Sequence, residues 1–525
     1  MIRPAQCTHR DQGTECTASV TVAGGDRFSA LLLLPGALTV YLSFSAGGYF
    51  PVTVAAVVVF LAVILIFLTV GSRPALKASG RPFAIASGML ALYAAWVLAS
   101  GLWSTAPDQA LPEFSRALLY LLTFLAFGLV GGTGERLRWM VRGVLIAACA
   151  VCLTALIMRL LPELWPGPPQ LRGGRMSYPV TYANALGLLA ALGIVFATHT
   201  TVDDSEPGAA RMAASAATPV LASTLYFTFS RGALASLVAA LLVYAWLGRL
   251  RGLASTLLVT MPASAVAVSV AYRGDLLASP HTSTMGAVAQ GRTVAVVIGV
   301  AALAAALLGW ASLSFNSPYL RKLPVGGLLR RGLVPLAVTA GLAALVMAIV
   351  FLPHAHRAYT EFVEGSPPTN TDRDFRDRFT NFANNGRIEL WTVALDGFSD
   401  AKLTGQGAGT FRLVRDRQLT PSSRSVTDAH SLYLETLGEL GAVGLGLLLG
   451  FLLVVFRGLA ARARGPDRSV YASVLAGGVA WGVQAGVDWM WELPAVTVWM
   501  FALAAAGIAI RQPVNLGLPK QPSAP

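Results

Sequence analysis

The sequence predicts an all-α polytopic membrane protein of about 12–14 transmembrane helices with one large extracytoplasmic loop. Three observations carry this. Hydrophobic residues make up 55% of the chain and charged residues 12%, with a mean hydropathy of +0.62; soluble domains carry roughly 25% charged residues. Apolar runs near the ~20 residues that cross a bilayer recur along most of the chain. Basic residues collect on one side of those runs rather than both.

Fourteen runs are long enough to span: 28–47, 51–71, 82–103, 114–131, 139–161, 180–200, 211–229, 232–248, 252–272, 293–314, 333–353, 430–456, 470–488 and 493–510. The run 211–229 is rich in Ala, Ser and Thr, and merging it with 232–248 would lower the count. With the N-terminus in the cytoplasm, the inner segments carry 22 Lys and Arg and the short outer loops only 6. That bias places both termini inside. The loop 354–429 then lies outside, and it exceeds the ~60 residues over which the rule operates. Trp103, Trp165, Trp489 and Trp491 fall at the outer ends of spans, as an aromatic belt requires. The expected layout is a cytoplasmic arm 1–27, spans within 28–353, an extracytoplasmic loop 354–429, spans within 430–510 and a cytoplasmic tail 511–525. The polar arm does not read as a cleavable signal peptide, and the Pro-rich tail reads as disordered at its end.

Four cysteines make no disulfide framework. Cys149 and Cys152 form C-x-x-C inside an apolar run, where small buried residues on a helix are the expected reading. No 20–50-residue repeat occurs. The expected environment is a bilayer, with no nucleic-acid partner.

The polar loop contains the densest chemistry. Residues 365–372 read as irregular chain. Residues 386–400 read as a short amphipathic helix with Ile388, Trp391, Leu395 and Phe398 on one stripe, lying on the membrane surface or on the tops of the spans. Gly405-x-Gly407-x-Gly409 lacks the strand and βαβ unit of a dinucleotide fingerprint, so a flexible or backbone-donating loop is expected.

Arg231 sits in Thr228-Phe-Ser-Arg-Gly232, held tightly between two spans. It reads either as an interfacial anchor for lipid phosphate or as a site for an anionic ligand. Arg387 opens the amphipathic helix on the same side, and a guanidinium offers forked donors to phosphate. Arg373, Arg376, Arg378, Arg412, Arg415, Arg417 and Arg424 compete with it, most of them expected to be solvated or paired with Asp372, Asp374 and Asp377. His430 begins the span 430–456 and is able to take and return a proton near neutrality, or only to hydrogen-bond. Asp428 is close enough in sequence to orient its ring. Glu435 and Glu439 lie further along that helix, with salt bridges to arginine expected and acid–base work the minority reading. Asp372-x-Asp374 is embedded among arginines and reads as a salt-bridge cluster rather than a metal site. No set of ligands completes a zinc site around His354 and His356.

Taken together, these motifs resemble the O-antigen ligase superfamily of lipopolysaccharide ligases, glycan polymerases and protein O-oligosaccharyltransferases, from about residue 82 to 456. Tyr178-Pro-Val-Thr-Tyr-Ala-Asn184 with Arg175 before it, Thr228-Phe-Ser-Arg-Gly-Ala233, Gly386-Arg387…Trp391 with Gly405-x-Gly-x-Gly-Thr-Phe411, and His430-Ser-Leu-Tyr433-Leu…Gly441 carry the resemblance. It implies a GT-C-like fold and a metal-independent, inverting glycosyltransferase without cofactor, whose donor is a glycan on undecaprenyl pyrophosphate. It implies that Arg231 and Arg387, with Arg175, bind the pyrophosphate and that His430 is the general base. Asn184, Asp428, Tyr433 and Glu435 are the expected supporting residues. The chain departs from the family at Ser431, where Asn is common, and in having fourteen spans rather than about a dozen. Ligation to a lipid or protein and polymerisation of surface polysaccharide use the same chemistry. A transporter of an anion or a lipid-linked glycan is the alternative from another class; it predicts ionisable residues near the midplane.

Overall fold

The computed structural model describes residues 6–10, 13–17, 29–71, 80–165, 168, 174–248, 250–280, 284–315, 359–364, 374–418 and 426–509. In chain order its α-helices begin with α1 (Leu34–Phe44), α2 (Pro51–Gly71), α3 (Arg81–Ala99), α4 (Ala110–Val130), α5 (Gly134–Leu160), α6 (Ala183–Val202), α7 (Gly208–Phe227), α8 (Arg231–Leu247), α9 (Leu250–Tyr272) and α10 (Met285–Phe315). The short α11 (Asp377–Thr380), α12 (Arg387–Asp400) and α13 (Phe411–Gln418) follow, then α14 (Leu432–Arg462), α15 (Arg468–Val487) and α16 (Val498–Ile508). The chain is an all-α polytopic membrane protein. The only sheet among the described residues is a hairpin of β1 (Gln6–Arg10) and β2 (Gly13–Thr17) in the N-terminal arm. Every predicted run contains a helix except 333–353, which lies outside the described residues, as do the tail 511–525, His354, His356, Asp372, Arg373 and Arg424.

Burial divides the helices into core and rim. Every residue of α6 is buried, although its sequence is apolar nearly all round; a helix without a polar face belongs inside a bundle or in lipid. Small residues decide for the bundle here: Gly187 and Gly193 bring α6 against Thr228, Leu221 and Ala148. By contrast, only 22% of the most apolar window of α2 is buried within the protein, which marks α2 as a lipid-facing rim helix. Arg116 is buried inside α4, paired with Glu113 at 2.5 Å and 3.9 Å from Glu492.

The helices present two charged ends. At one, Arg138 meets Asp467 at 2.5 Å and Asp203 at 3.4 Å, and Arg142 meets Glu206 at 2.6 Å. At the other lie the loops that carry the candidate site.

A break in α14 positions that second end. Gly441 has φ 66 and ψ −167, so the helix is interrupted there. Inside a membrane protein the freed backbone groups need new partners, and the 401–409 loop supplies them. The N–H groups of Gln406 and Gly407 donate to the carbonyls of Gly438 (3.1 Å) and Glu439 (2.8 Å). The Trp96 indole donates to the Leu440 carbonyl at 3.0 Å. The N–H groups of Ala442 and Val443 donate to the carbonyls of Lys402 (2.8 Å) and Leu403 (3.4 Å). The glycine-rich loop is therefore backbone-donating, as expected, but its target is α14 rather than a ligand. Glu439 locks the same junction, accepting the N–H groups of Gly409 and Phe411 at 2.8 Å each. The arginine partners expected for Glu435 and Glu439 are absent among the described residues: Glu435 accepts the Ala429 N–H at 2.9 Å. Free backbone donors at these turns lie closer than any guanidinium.

Gly405 adopts φ +67, and a methyl group there would fall on the Glu439 carbonyl. Gly405→Ala combines left-handed strain of ~1–2 kcal/mol with a backbone clash. It is expected to lower the unfolding temperature in detergent sharply, whereas Ala at open Gly446 should leave it within error.

The surface helix α12 buries Leu390, Val393, Ala394 and Gly397 against α14. This corrects the expected stripe, since Leu395 is 46% exposed and Ile388, Trp391 and Phe398 are only half-buried. Backbone approach decides the face: a methyl on Gly438 would sit 2.7 Å from the Ala394 carbonyl, so only small residues fit that contact.

Candidate active site

Four of the five non-glycine residues with left-handed backbone among the described residues flank one region: Thr181 (φ 71), Phe229 (φ 46), Asn385 (φ 57) and His430 (φ 51). Such conformations cost on the order of 1–3 kcal/mol each and persist where the surroundings enforce them. Each stands at the point where a side chain enters the site: Thr181 before Tyr182 and Asn184, Phe229 before Arg231, Asn385 before Arg387, and His430 itself.

The centre of the region is Asp488, one residue beyond the end of α15 and fully buried. One carboxylate oxygen accepts from His430 Nδ1 at 2.9 Å and from the Tyr182 hydroxyl at 2.8 Å. The other accepts from Asn184 Nδ2 at 2.5 Å and Arg387 Nη2 at 3.2 Å. Burial alone would raise the Asp488 pKa, but the His430 hydrogen bond and the Arg387 charge outweigh it and hold the carboxyl below its usual range. An ionised carboxylate only accepts, so Nδ1 carries the proton of that bond, and in the neutral ring Nε2 holds the lone pair. Asp428, the expected orienting residue, does not bond the ring. Its carboxylate takes the Thr427 hydroxyl at 2.5 Å. It gathers with Glu435 and Glu492, their oxygens within 4.8 Å of one another. Burial, then the charge of Glu113, raises the Asp428 pKa, and burial raises that of Glu492 well above the ordinary value. The i−2 spacing failed because the left-handed backbone at His430 turns its ring toward α15. Trp489 stands edge-on to that ring at 6.1 Å and packs on Tyr182 at 4.8 Å.

The predicted arginines do converge. Arg175 donates to the Thr228 carbonyl at 2.7 Å and to Asn184 Oδ1 at 2.6 Å, which links it to Asp488 through one amide. Burial, then the charge of Arg378, pushes its pKa down to about 9. Arg231 begins α8, a position where the helix dipole opposes a cation. It is held there by the carbonyls of Asn381 and Ala383, the latter at 2.9 Å. Ser230 caps α8, accepting the Ala233 N–H at 3.3 Å. Arg387 follows left-handed Gly386 and reaches Asp488. The charges of Arg378 and Arg387 act on both Arg175 and Arg231.

Tyr433 is not brought to this cluster; its hydroxyl donates to the Gly482 carbonyl at 2.9 Å and ties α14 to α15. Glu435 also stands apart, with the acidic group. Ser431 is the N-cap of α14, accepting the Leu434 N–H at 3.4 Å. Asn caps helices as well as Ser does, so this departure keeps the capping function. Arg376 is paired with Asp374 and with Asp275 at 2.8 Å, as the salt-bridge reading expected.

Asp488, Tyr182 and Arg378 were missed from the sequence. Asp488 had a usable signal: it is a lone carboxylate ending an apolar run, just before Trp489. Arg378 had none, being one arginine among many in a polar loop.

A cluster with fixed guanidinium donors, an oriented imidazole and a buried carboxylate is equipped to bind an anion and move a proton beside it. Residues 277–449 match the family model described as O-antigen ligase. The matched stretch contains Arg378, Arg387 and His430, while Arg175, Asn184, Arg231 and Asp488 lie outside it. No curated protein matches the chain. The family match, on a helical membrane bundle that brings the early motifs to the same end as the late ones, supports membership of this chain in the O-antigen ligase superfamily.

Proposed function

We propose that this protein transfers a glycan from undecaprenyl pyrophosphate to an acceptor hydroxyl, by inversion and without a metal, on the extracytoplasmic face of the inner membrane with both termini in the cytoplasm. Membership of the superfamily supports an O-antigen ligase- or polymerase-type function in general. One observation carries the finer reading: a histidine with Nδ1 held by buried Asp488 stands in the same cluster as Arg175, Arg231 and Arg387. His430 Nε2 removes the acceptor proton as the hydroxyl oxygen attacks the anomeric carbon. The bond from that carbon to the pyrophosphate breaks, and the arginines stabilise the charge gained by the leaving group. The donor carries the energy, so no cofactor is required. The transporter alternative is disfavoured because the site residues gather at one end of the helices: Arg231 at the start of α8 and Asp488 just past α15.

The test uses purified protein, an undecaprenyl-pyrophosphate-linked oligosaccharide and envelope acceptors in the presence of EDTA. Wild type should transfer glycan, and His430→Ala should lose activity by roughly 10²-fold or more. Unimpaired transfer by His430→Ala would remove the histidine from the mechanism. Products of increasing repeat number on the donor lipid would identify a surface-polysaccharide polymerase.

A further inference from the structure

We propose that Arg378 is a further substrate-binding residue of this site, and that it makes the site selective for a diphosphate over a monophosphate. The inference rests on the donor reading given above.

Arg378 lies on α11, which is fixed in place. Phe375 and Phe379 pack on Phe229 at 5.6 and 5.8 Å, and Phe379 stacks near Tyr226 at 6.2 Å. The Phe375 N–H donates to the Ala278 carbonyl at 2.8 Å. Just beyond α11, Arg231 grips the carbonyls of Asn381 and Ala383. The arginine two residues earlier, Arg376, is consumed by Asp374 and Asp275. Arg378 is different. No carboxylate pairs with it among the described residues, and its Nε is shut off from solvent with no hydrogen-bond partner. Native proteins leave few buried donors unpaired, and an ion or water is one partner that completes them. Nε of Arg116, Arg415, Arg462 and Arg468 is unpaired too, so the surrounding charges decide the case for Arg378.

The charges nearby identify that partner. Arg378 interacts electrostatically with Arg175, Arg231 and Arg387, and with Asp488. Arg175, Arg378 and Arg387 thus share one carboxylate, which is also bonded to His430, while Arg231 lies in the field of Arg378 and Arg387. Such an excess of positive charge is costly unless an anion fills it. A glycosyl diphosphate ester supplies more charge than a monophosphate. When the anomeric carbon–oxygen bond breaks, the electron pair stays on the phosphate oxygen and the diphosphate leaves with one more negative charge. The surplus cation therefore favours the departing group more than the intact donor.

The experiment measures binding to full-length purified protein of two prenyl probes, farnesyl diphosphate and farnesyl monophosphate. Wild type should prefer the diphosphate by about tenfold or more. Arg378→Gln should lose most of that preference while binding the monophosphate as wild type does. Arg378→Lys keeps the charge without the forked donors and should fall between them; it also serves if the Gln variant does not fold. Exposed neighbouring Asp377→Asn should behave as wild type. A wild-type preference retained in both Arg378 variants overturns this inference alone. Failure of wild type to bind the diphosphate overturns the donor reading with it.

Discussion

Asp488→Asn is expected to reduce glycan transfer by roughly 10²–10⁴-fold, a loss of about 3–5 kcal/mol in transition-state stabilisation. The buried carboxylate accepts four side-chain donors, from His430, Tyr182, Asn184 and Arg387. An amide accepts at one end only and donates at the other, so it opposes either the imidazole or the Asn184–Arg387 pair. If the ring responds by exchanging tautomers, Nε2 carries the proton and no longer serves as a base. The loss should appear in kcat, with donor KM changed much less. Stability checks the same assignment by a second route. Because the Asp488 pKa is depressed on folding, its contribution to stability is present above the ordinary aspartate range. That contribution is lost as the pH falls through the lower folded value. The Asn variant should lack this acid-side component in unfolding measured against pH. Activity within threefold of wild type would show that His430 does not depend on Asp488.

The second large effect is expected at Arg387. Arg387→Gln removes the cation that reaches Asp488 at 3.2 Å and shares the field of Arg175, Arg231 and Arg378. Removing one preorganised donor from a developing negative charge typically costs about 10²–10³-fold. The same loss is expected here, mostly in kcat, with Arg387→Lys recovering part of it because charge survives without the fork. Arg231→Gln should behave differently. Arg231 also holds the 381–383 strand of loop by its carbonyls, so its loss should lower thermal stability together with activity. Steady-state kinetics and melting temperatures on the two variants separate these roles. Equal effects on stability at both positions would contradict the division.

Much of this was legible in the sequence, for a physical reason that differs by level. Fold class followed from composition and run length, because a bilayer permits few solutions to unsatisfied backbone groups. Arg175, Asn184, Arg231, Arg387 and His430 were recognisable because each interrupts an apolar context or stands in a motif. Local spacing misled in three places. Asp428 is two residues from His430 yet joins Glu435 and Glu492. Ile388, Trp391, Leu395 and Phe398 form a periodic stripe, yet Leu390, Val393, Ala394 and Gly397 are the buried face, because Gly438 of α14 approaches the Ala394 backbone too closely for a larger residue. Glu439 was expected to meet a guanidinium and instead receives two backbone N–H groups.

By itself, then, the sequence determined the membrane class, the segment that would carry the histidine and the arginines that would stand near it. These depend on burial preference and on motifs of a few residues, which local chain chemistry expresses. Only the tertiary structure decided which carboxylate holds the imidazole, because Asp488 comes from 58 residues away. It also decided which surplus arginine faces inward. Both outcomes depend on how distant helix ends meet at Asp488 and how the left-handed residues aim their neighbours. Those are properties of packed helices, and no window along the chain contains them.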